Sequence, residues 1–368
     1  MPSKSDLRQR QALPLGAKVL MSQARIREWY NHFNGDVYVS FSGGKDSTVL
    51  AHLVHDIYPD VPLVFSNTGL EYPEIQLFAR KMGAIFVRPR MPFNDVISKY
   101  GYPIISKEVA EAIATARKMR TGYGDMRRAD LMGKRAEYDG GKYGNDSMFN
   151  KKKWLALSQG TQFKIASTCC KVMKKGPLHT YERNEKRAPY IGMLAEESRV
   201  REQAWIKHGC NAFDAAKKTS NPMSFWTEQD VLQYIKQECL EIASVYGDIV
   251  AVGPDGYEYE PLPGMDCKLK CSGCQRTGCI FCGFGQHLAK ETSFSLLAKT
   301  HPKQYDYCML GGQWVDNPDY DGNAPKYNGE WLNWNPKKIW VPSKKGLGMK
   351  KVFDDCNQIY GKDFIKYD

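Results

Sequence analysis

The stretch Asp36-Val37-Tyr38-Val39-Ser40-Phe41-Ser42-Gly43-Gly44-Lys45-Asp46-Ser47-Thr48-Val49-Leu50-Ala51-His52-Leu53-Val54 decides the fold. Asp36 to Phe41 is rich in β-branched and aromatic residues and reads as a strand. From Ser47 onward the pattern is helical. Two glycines between them let the backbone turn its N–H groups toward an anion, and the dipole of the following helix adds to the attraction. Lys45 contributes a point charge, Ser42 and Ser47 hydroxyl donors, and Asp46 a carboxylate suited to holding Mg²⁺ or orienting the loop. Lys45 and Asp46 are the catalytic candidates. Ser40, Ser42, Gly43, Gly44, Lys45, Asp46 and Ser47 are the phosphate-binding ones. The loop is not a Walker A sequence, because the upstream glycine of that motif falls at Val39, and it is not the dinucleotide G-x-G-x-x-G.

Outward from this stretch, residues 14–33 read as an amphipathic helix with Leu20, Ile26 and Trp29 on one face. Residues 62–66 and 84–87 read as strands, with a helix over 72–82 between them. Strand, helix, strand, helix, strand predicts an α/β fold, a parallel sheet with helices on both faces. Tyr190 to Leu194 resumes the sheet pattern. Thr227 followed by Asp230 predicts an N-capped helix carrying Val231, Leu232 and Ile235 on its apolar side. Residues 117–153 hold eleven Lys/Arg against five Asp/Glu, with glycines scattered through them. They read as a mobile basic insertion. The expected organisation is a nucleotide-binding α/β domain over 1–116 and 154–265, interrupted by that insertion. A cysteine-rich metal segment at 266–290 and an aromatic-rich C-terminal region at 291–368 follow.

The net charge of +11 favours anionic partners, a nucleotide or a nucleic acid. Arg117, Arg120, Arg127, Arg128, Lys134, Arg135 and Lys151 to Lys153 carry much of the basic run, and Trp331, Trp334 and Trp340 offer stacking faces. No apolar run approaches the roughly 20 residues of a membrane helix. The basic, polar N-terminus lacks the apolar core of a secretory signal, so a cytoplasmic protein with no membrane partner is expected.

Eleven cysteines without an export signal point to metal ligands, reactive thiols or small core residues rather than disulfides. Cys279-Ile280-Phe281-Cys282 is a C-x-x-C, a spacing that chelates zinc or two corners of an iron–sulfur cluster. Cys271 and Cys274 join Cys279 and Cys282 in a local four-thiol set suited to a structural zinc site. Cys169 and Cys170 are adjacent, which is poor zinc geometry because neighbouring side chains diverge.

The string SFSGGKDST resembles the pyrophosphate-binding loop of the ATP pyrophosphatase (PP-loop) superfamily. Several further pieces resemble its phosphoadenosine phosphosulfate (PAPS) reductase-like branch. Thr68-Gly69-Leu70-Glu71-Tyr72-Pro73-Glu74 is similar to a strand-end motif beside the nucleotide, which implicates Thr68, Gly69 and Glu71. GMLAEESRVR is similar to G-x-R-x-x-E-S-x-x-R and matches at Gly192, Glu197, Ser198 and Arg201, whereas Leu194 stands in place of the first arginine. Pro222 to Thr227 resembles the P-x-x-x-W-T start of a helix. The resemblance spans residues 36 to about 285 and implies an adenine-nucleotide alpha-hydrolase-like fold binding ATP with Mg²⁺ or a PAPS-like nucleotide.

The same resemblance implies a [4Fe–4S] cluster on Cys169, Cys170, Cys279 and Cys282, with Cys271 and Cys274 as alternates and structural zinc as the rival cofactor. Reductases of this family use a cysteine in an E-C-G-x-H-like tail motif, and no such string occurs here. Cys356 lies beside Asp354 and Asp355, which disfavour a thiolate. The expected activity is therefore adenylation of a substrate with release of pyrophosphate, for sulfur transfer to a nucleic acid or nucleotide-like molecule. A sulfur or electron donor protein is an implied partner. The alternatives are PAPS or adenylylsulfate reduction, and non-catalytic nucleic-acid binding with a retained nucleotide pocket.

Overall fold

A computed structural model of the chain describes residues 2–118, 122–142, 149–259, 267–322, 326–327, 331–332 and 334–368. The chain forms two compact units, Met1–Pro89 with Lys174–Gly278, and Arg90–Met173 with Cys279–Asp368. This division differs from the boundaries read from sequence, since it cuts the cysteine-rich segment between Gly278 and Cys279.

The first unit is built on a six-stranded sheet in the order Ile85–Val87, Leu63–Ser66, Val37–Phe41, Ala188–Ile191, Thr219–Ser220, Asn211–Ala212. All neighbours are parallel except the last pair. Val37, Tyr38, Val39 and Phe41 are at most 2% exposed, as expected of a central parallel strand covered on both faces. Val39 pairs with Leu63 on one side and Tyr190 on the other. The chain leaves Val37–Phe41 toward Leu63–Ser66 and returns much later to its opposite side. The loop at the end of that strand therefore sits where the strand order reverses, the place in open α/β sheets where ligands bind.

Helix Leu15–His32 shows where periodicity alone misleads. Its buried residues are Leu15, Lys18, Ser22, Ile26 and Trp29, while Leu20 is 69% exposed. Leu20 is six residues from Ile26, which at 100° per residue puts it about a third of a turn off that face. Two polar residues occupy the inner stripe instead, each with a partner. Lys18 Nζ donates to Asp230 Oδ2 at 2.6 Å and to the Gln11 carbonyl at 2.6 Å. Ser22 Oγ donates to the Pro222 carbonyl and accepts from Trp226 Nε1, both at 2.9 Å. Asp230 also accepts from the Thr227 backbone N–H at 2.6 Å, completing the expected capping box of helix Glu228–Gln237. One buried carboxylate thus fixes both a helix start and the helix packed beside it. Removing either member of such a buried pair costs about 3–5 kcal/mol.

The second unit is mainly helical. Val109, Ala110, Ala112, Ile113 and Ala116 of helix Lys107–Lys118 are buried, and short strands pair Gly283–Phe284 with Ile104–Ile105 in parallel. Its largest departure from expectation is the basic segment. The described part of 117–153 contains helices Tyr123–Met132 and Arg135–Asp139. The glycines that suggested mobility serve as left-handed helix ends, Gly133 at φ +73° and Gly140 at φ +69°, a conformation glycine adopts without steric cost.

Several cations of this segment are neutralised within the fold. Arg127 pairs with Asp130 at 3.0 Å and Glu111 at 2.8 Å, and Arg128 with Asp125 at 2.7 Å. Arg135 pairs with Asp130 at 2.7 Å and Asp139 at 3.0 Å, and Lys151 with Glu108 at 2.7 Å. The acids spaced three and four residues from the arginines make this internal neutralisation local. Arg120 and the side chain of Trp331 lie outside the described residues. Trp334 Nε1 donates to the Thr161 carbonyl at 2.6 Å and Trp340 Nε1 to the Gly348 carbonyl at 3.0 Å, so both indoles are tied into the fold. No described helix is long and apolar enough to cross a membrane.

Candidate nucleotide site and cysteine cluster

Ser42-Gly43-Gly44 carries the chain from the central strand into helix Lys45–His55, with Gly44 as its N-cap. Gly43 has φ +70°, and a Cβ there would lie 2.8 Å from Ile75 Cγ2. The two serines shape the loop itself. Ser47 Oγ donates to the Gly44 carbonyl at 2.9 Å and accepts from the Ser42 backbone N–H at 3.1 Å, and the two hydroxyls stand 3.0 Å apart. Their first role is to hold the turn, leaving the N-terminal amides and Lys45 to meet an anion.

Gly192 presses the neighbouring strand end onto the same turn. A Cβ there would sit 3.0 Å from the Asp46 carbonyl oxygen and 3.1 Å from its carbon. Both atoms are backbone, so the helix start would have to move. Gly192→Ala is expected to destabilise the protein by about 1–3 kcal/mol through overpacking, and to weaken nucleotide binding as the loop shifts. Thermal unfolding and nucleotide titration of the variant check both effects.

A cavity of about 110 Å³ opens at the loop, bringing together Ser42, Gly44, Lys45, Asp46 and Glu197 with Leu194, Glu228, Tyr246, Arg276 and Thr277. Lys45 is 4% exposed. Its ammonium donates to Glu228 Oε1 at 2.5 Å and to the Gln275 carbonyl at 2.9 Å. Glu228 thus stands as the counter-ion of Lys45. Burial raises the Asp46 carboxyl above its usual range, against the opposing pull of Lys45, Arg276 and Arg201. Asp46 Oδ1 is buried without a hydrogen-bond partner among the described residues. Arg201 pairs with Glu197, and Arg276 stands 3.5 Å from the same carboxylate. Leu194, where the arginine of the resembled motif is missing, is 2% exposed at the cavity wall. Arg276, from the cysteine-rich segment, restores a cation there.

The other expected phosphate-site residues lie outside this lining. Ser198 Oγ accepts from the Arg201 backbone N–H at 3.3 Å and caps helix Arg199–His208. Thr68 and Glu71 close on each other, Thr68 Oγ1 donating to Glu71 Oε1 at 2.7 Å, and Gly69 holds the turn between them at φ +73°. Ser40 is within the strand, opposite Val64 and Ile191. Sequence reading missed Glu228, Tyr246, Arg276 and Thr277. Arg276 and Thr277 stand among the cysteines and drew attention only as part of a metal loop. Glu228 follows the cap residue Thr227, a signal for a helix start rather than for a lysine partner.

The cysteines divide between the units. Cys271 and Cys274 belong to the first and are buried, 0% and 8% exposed. Burial raises both thiols, with Lys45 pulling Cys271 back down and a hydrogen bond with Tyr72 doing so for Cys274. Cys169, Cys170, Cys279 and Cys282 all belong to the second unit. A hydrogen bond with Cys170 and then burial raise the Cys169 thiol, and the negative charges of Cys170, Cys282 and Cys279 push it further in the same direction. Four thiols that feel one another's charge disfavour collective ionisation unless a cation is bound among them. The chemistry of this donor set, four thiols in one unit, fits a thiolate-ligated metal group. Among the described residues, no three or more His, Cys, Asp or Glu are already arranged to hold a single ion.

The two cysteines further along the chain are core residues. Cys308 and Cys356 are each 0% exposed. Burial lifts the Cys308 thiol, and it pushes Cys356 up to about 12 with Asp355 adding to the effect. Burial therefore outweighs the acidic neighbours that the sequence suggested as the main cause.

The family profile described as the phosphoadenosine phosphosulfate reductase domain matches residues 36–155 and 107–283. The chain belongs to this family. It is similar to an adenosine 5′-phosphosulfate reductase of Bacillus cereus, 22% identical over 216 residues covering 58% of this chain and 70% of the relative. A reductase of the same name from Bacillus thuringiensis (strain Al Hakam) is 21% identical over the same coverage. A solved phosphoadenylyl-sulfate (PAPS) reductase from Candida auris, in a phosphate complex, aligns with a TM-score of 0.33 and 14% identity. The alignment covers 66% of this chain and 91% of that one, too loose a likeness to argue from. Membership in the PAPS reductase domain family makes the chain a nucleotide-binding enzyme of sulfur metabolism.

Proposed function

We propose that this PAPS reductase-family chain binds ATP at Ser42–Ser47, transfers its adenylyl group to a substrate oxygen and releases pyrophosphate. The adenylated oxygen then leaves as AMP when a sulfur nucleophile attacks. In the first step the substrate oxygen bonds to the α-phosphorus as the bond from that phosphorus to the α–β bridging oxygen breaks. Pyrophosphate departs with the electron pair, and the substrate proton passes to solvent. Lys45 and the backbone N–H groups at the helix start stabilise the charge gathering on pyrophosphate, as preorganised donors in a buried site do. Lys45 trades Glu228 for phosphate oxygens. Asp46, with its partnerless buried Oδ1, suits one carboxylate ligand of a Mg²⁺ otherwise held by phosphate and water. Arg276 and Arg201 supply the remaining positive charge.

The observation that favours this chemistry over sulfonucleotide reduction is the burial of Cys308 and Cys356, the described cysteines of the C-terminal region, where the resembled reductases carry their attacking thiol. A reductase of this family needs an exposed, ionisable thiol to attack sulfur, and neither residue provides one. A [4Fe–4S] cluster on Cys169, Cys170, Cys279 and Cys282 would supply an iron site able to hold sulfur or pass electrons. A sulfur or electron donor protein would serve it. The names of the Bacillus relatives support a second reading, reduction of adenylylsulfate or PAPS. The two separate cleanly. The iron-reconstituted protein is supplied with adenylylsulfate or PAPS and a dithiol reductant, and sulfite is measured. No sulfite is expected, and its catalytic formation would replace adenylation with the reductase reading.

A further inference from the structure

One cavity is remote in sequence from the phosphate loop and is used by nothing above. It lies within the second unit, has a volume of about 620 Å³, and is bordered by Lys99, Tyr100, Arg117, Lys118, Lys164 and Trp334. That volume is within the roughly 300–1,000 Å³ of small-molecule sites. Thr168, which precedes Cys169, also lines it.

Arg117 is the informative residue. Among the described residues its guanidinium makes four hydrogen bonds, all to neutral acceptors. Nε donates to the Ser158 carbonyl at 2.9 Å and Nη1 to the Phe163 carbonyl at 2.8 Å. Nη2 donates to the Leu157 carbonyl at 3.1 Å and to Thr161 Oγ1 at 2.7 Å. No carboxylate of a described residue pairs with it, and burial alone pushes its pKa down to about 9. Arginine stays charged in proteins, so this is a half-buried cation lacking a counter-ion among the described residues, an arrangement that favours an anion beside it. The contrast with Arg127, Arg128 and Arg135, each matched to an acid, makes the omission local to the cavity.

The remaining lining says what the anion carries. Lys99 and Lys118 are exposed and pair with no carboxylate of a described residue. Lys164 is shared with Asp319 at 2.8 Å. Trp334 is held by its bond to Thr161 and lies over the Arg117 guanidinium, 4.4 Å from ring centroid to Cζ. A fixed indole and a tyrosine ring beside three lysines and a half-buried arginine match a planar base bearing phosphate. Asp319 and Asp321, also at the cavity, add acceptors for exocyclic amines. We infer that this cavity binds a nucleoside monophosphate unit, free or within a nucleic-acid strand, as a second nucleotide site independent of the Ser42–Ser47 loop. As the seat of the acceptor it rests on the adenylation reading. As a binding site it does not.

The test uses the full chain carrying Lys45→Ala, which silences the loop. Nucleoside 5′-monophosphates, a single-stranded oligonucleotide and inorganic phosphate are titrated separately, followed by tryptophan fluorescence and calorimetry. Saturable binding of a mononucleotide or of the oligonucleotide is expected. Lys99→Glu with Lys118→Glu, both on the surface, should weaken it on the order of tenfold or more. Trp334→Phe should weaken it less and blunt the fluorescence change. Mononucleotide binding identifies a small acceptor. Binding of the oligonucleotide alone, with log K falling about 0.7 per neutralised phosphate against log salt, identifies a strand. No binding, binding indifferent to the lysine reversals, or inorganic phosphate binding as tightly as the nucleotides would each overturn the inference. Pyrophosphate release by the wild type in the absence of cavity binding would remove this site and leave the adenylation reading standing.

Discussion

Lys45→Ala is expected to abolish nucleotide turnover while the protein remains folded. The ammonium is almost wholly buried at the head of helix Lys45–His55, with Glu228 and the Gln275 carbonyl as its partners. A lost charge-assisted phosphate contact costs about 1.5–3 kcal/mol in ground-state binding. The loss in the transition state is larger, because charge builds on the leaving pyrophosphate where this cation stands. The substitution also strands the Glu228 carboxylate, which is about one-third exposed and so remains hydrated. For that reason the fold survives and turnover does not. Far-UV circular dichroism with a nucleotide titration checks both halves. Binding and turnover like the wild type would refute the assignment of the loop.

Substitution in the second unit's cysteine set should have an effect of comparable size on metal content. Anaerobically purified or reconstituted protein is expected to absorb broadly in the visible region and to carry about four irons per chain, the stoichiometry of the cluster type. Cys169→Ala, Cys170→Ala and Cys282→Ala should each remove most of that absorption. Cys271→Ala should leave it, because Cys271 is a buried residue of the other unit. A colourless protein holding one zinc, indifferent to changes at Cys169 and Cys170, would give the site to the local four-cysteine set instead.

What the sequence made legible follows from how locally each feature is encoded. Val37 to Phe41 reads as a strand because its β-branched and aromatic residues are local signals, and Thr227 with Asp230 reads as a helix start because both partners lie within one turn. Gly43 was read as a turn glycine and has a positive φ, whereas Gly192, singled out only by the resembled motif, lies where a Cβ would meet the Asp46 backbone. Pairings across the chain were hidden. Lys45 meets a glutamate 183 residues away, and Lys18 enters the core only because Asp230 waits there, 212 residues on. The basic run misled for a related reason. Composition counted its cations, whereas their use depends on which acids the helices bring beside them. Arg117 looked like one charge among eleven, and what distinguishes it is that the acceptors it meets among the described residues are all neutral.

The identity of the products formed from ATP tests the central claim most directly. Iron-reconstituted wild-type protein is incubated with Mg²⁺–ATP labelled at the α-phosphate, total cellular nucleic acid and small metabolites, and a hydrosulfide donor, and the nucleotides and pyrophosphate are separated by chromatography. AMP and pyrophosphate are expected in equal amounts, both absent with Lys45→Ala. ADP with inorganic phosphate, or ATP left intact while adenylylsulfate is consumed to sulfite, would contradict adenylation.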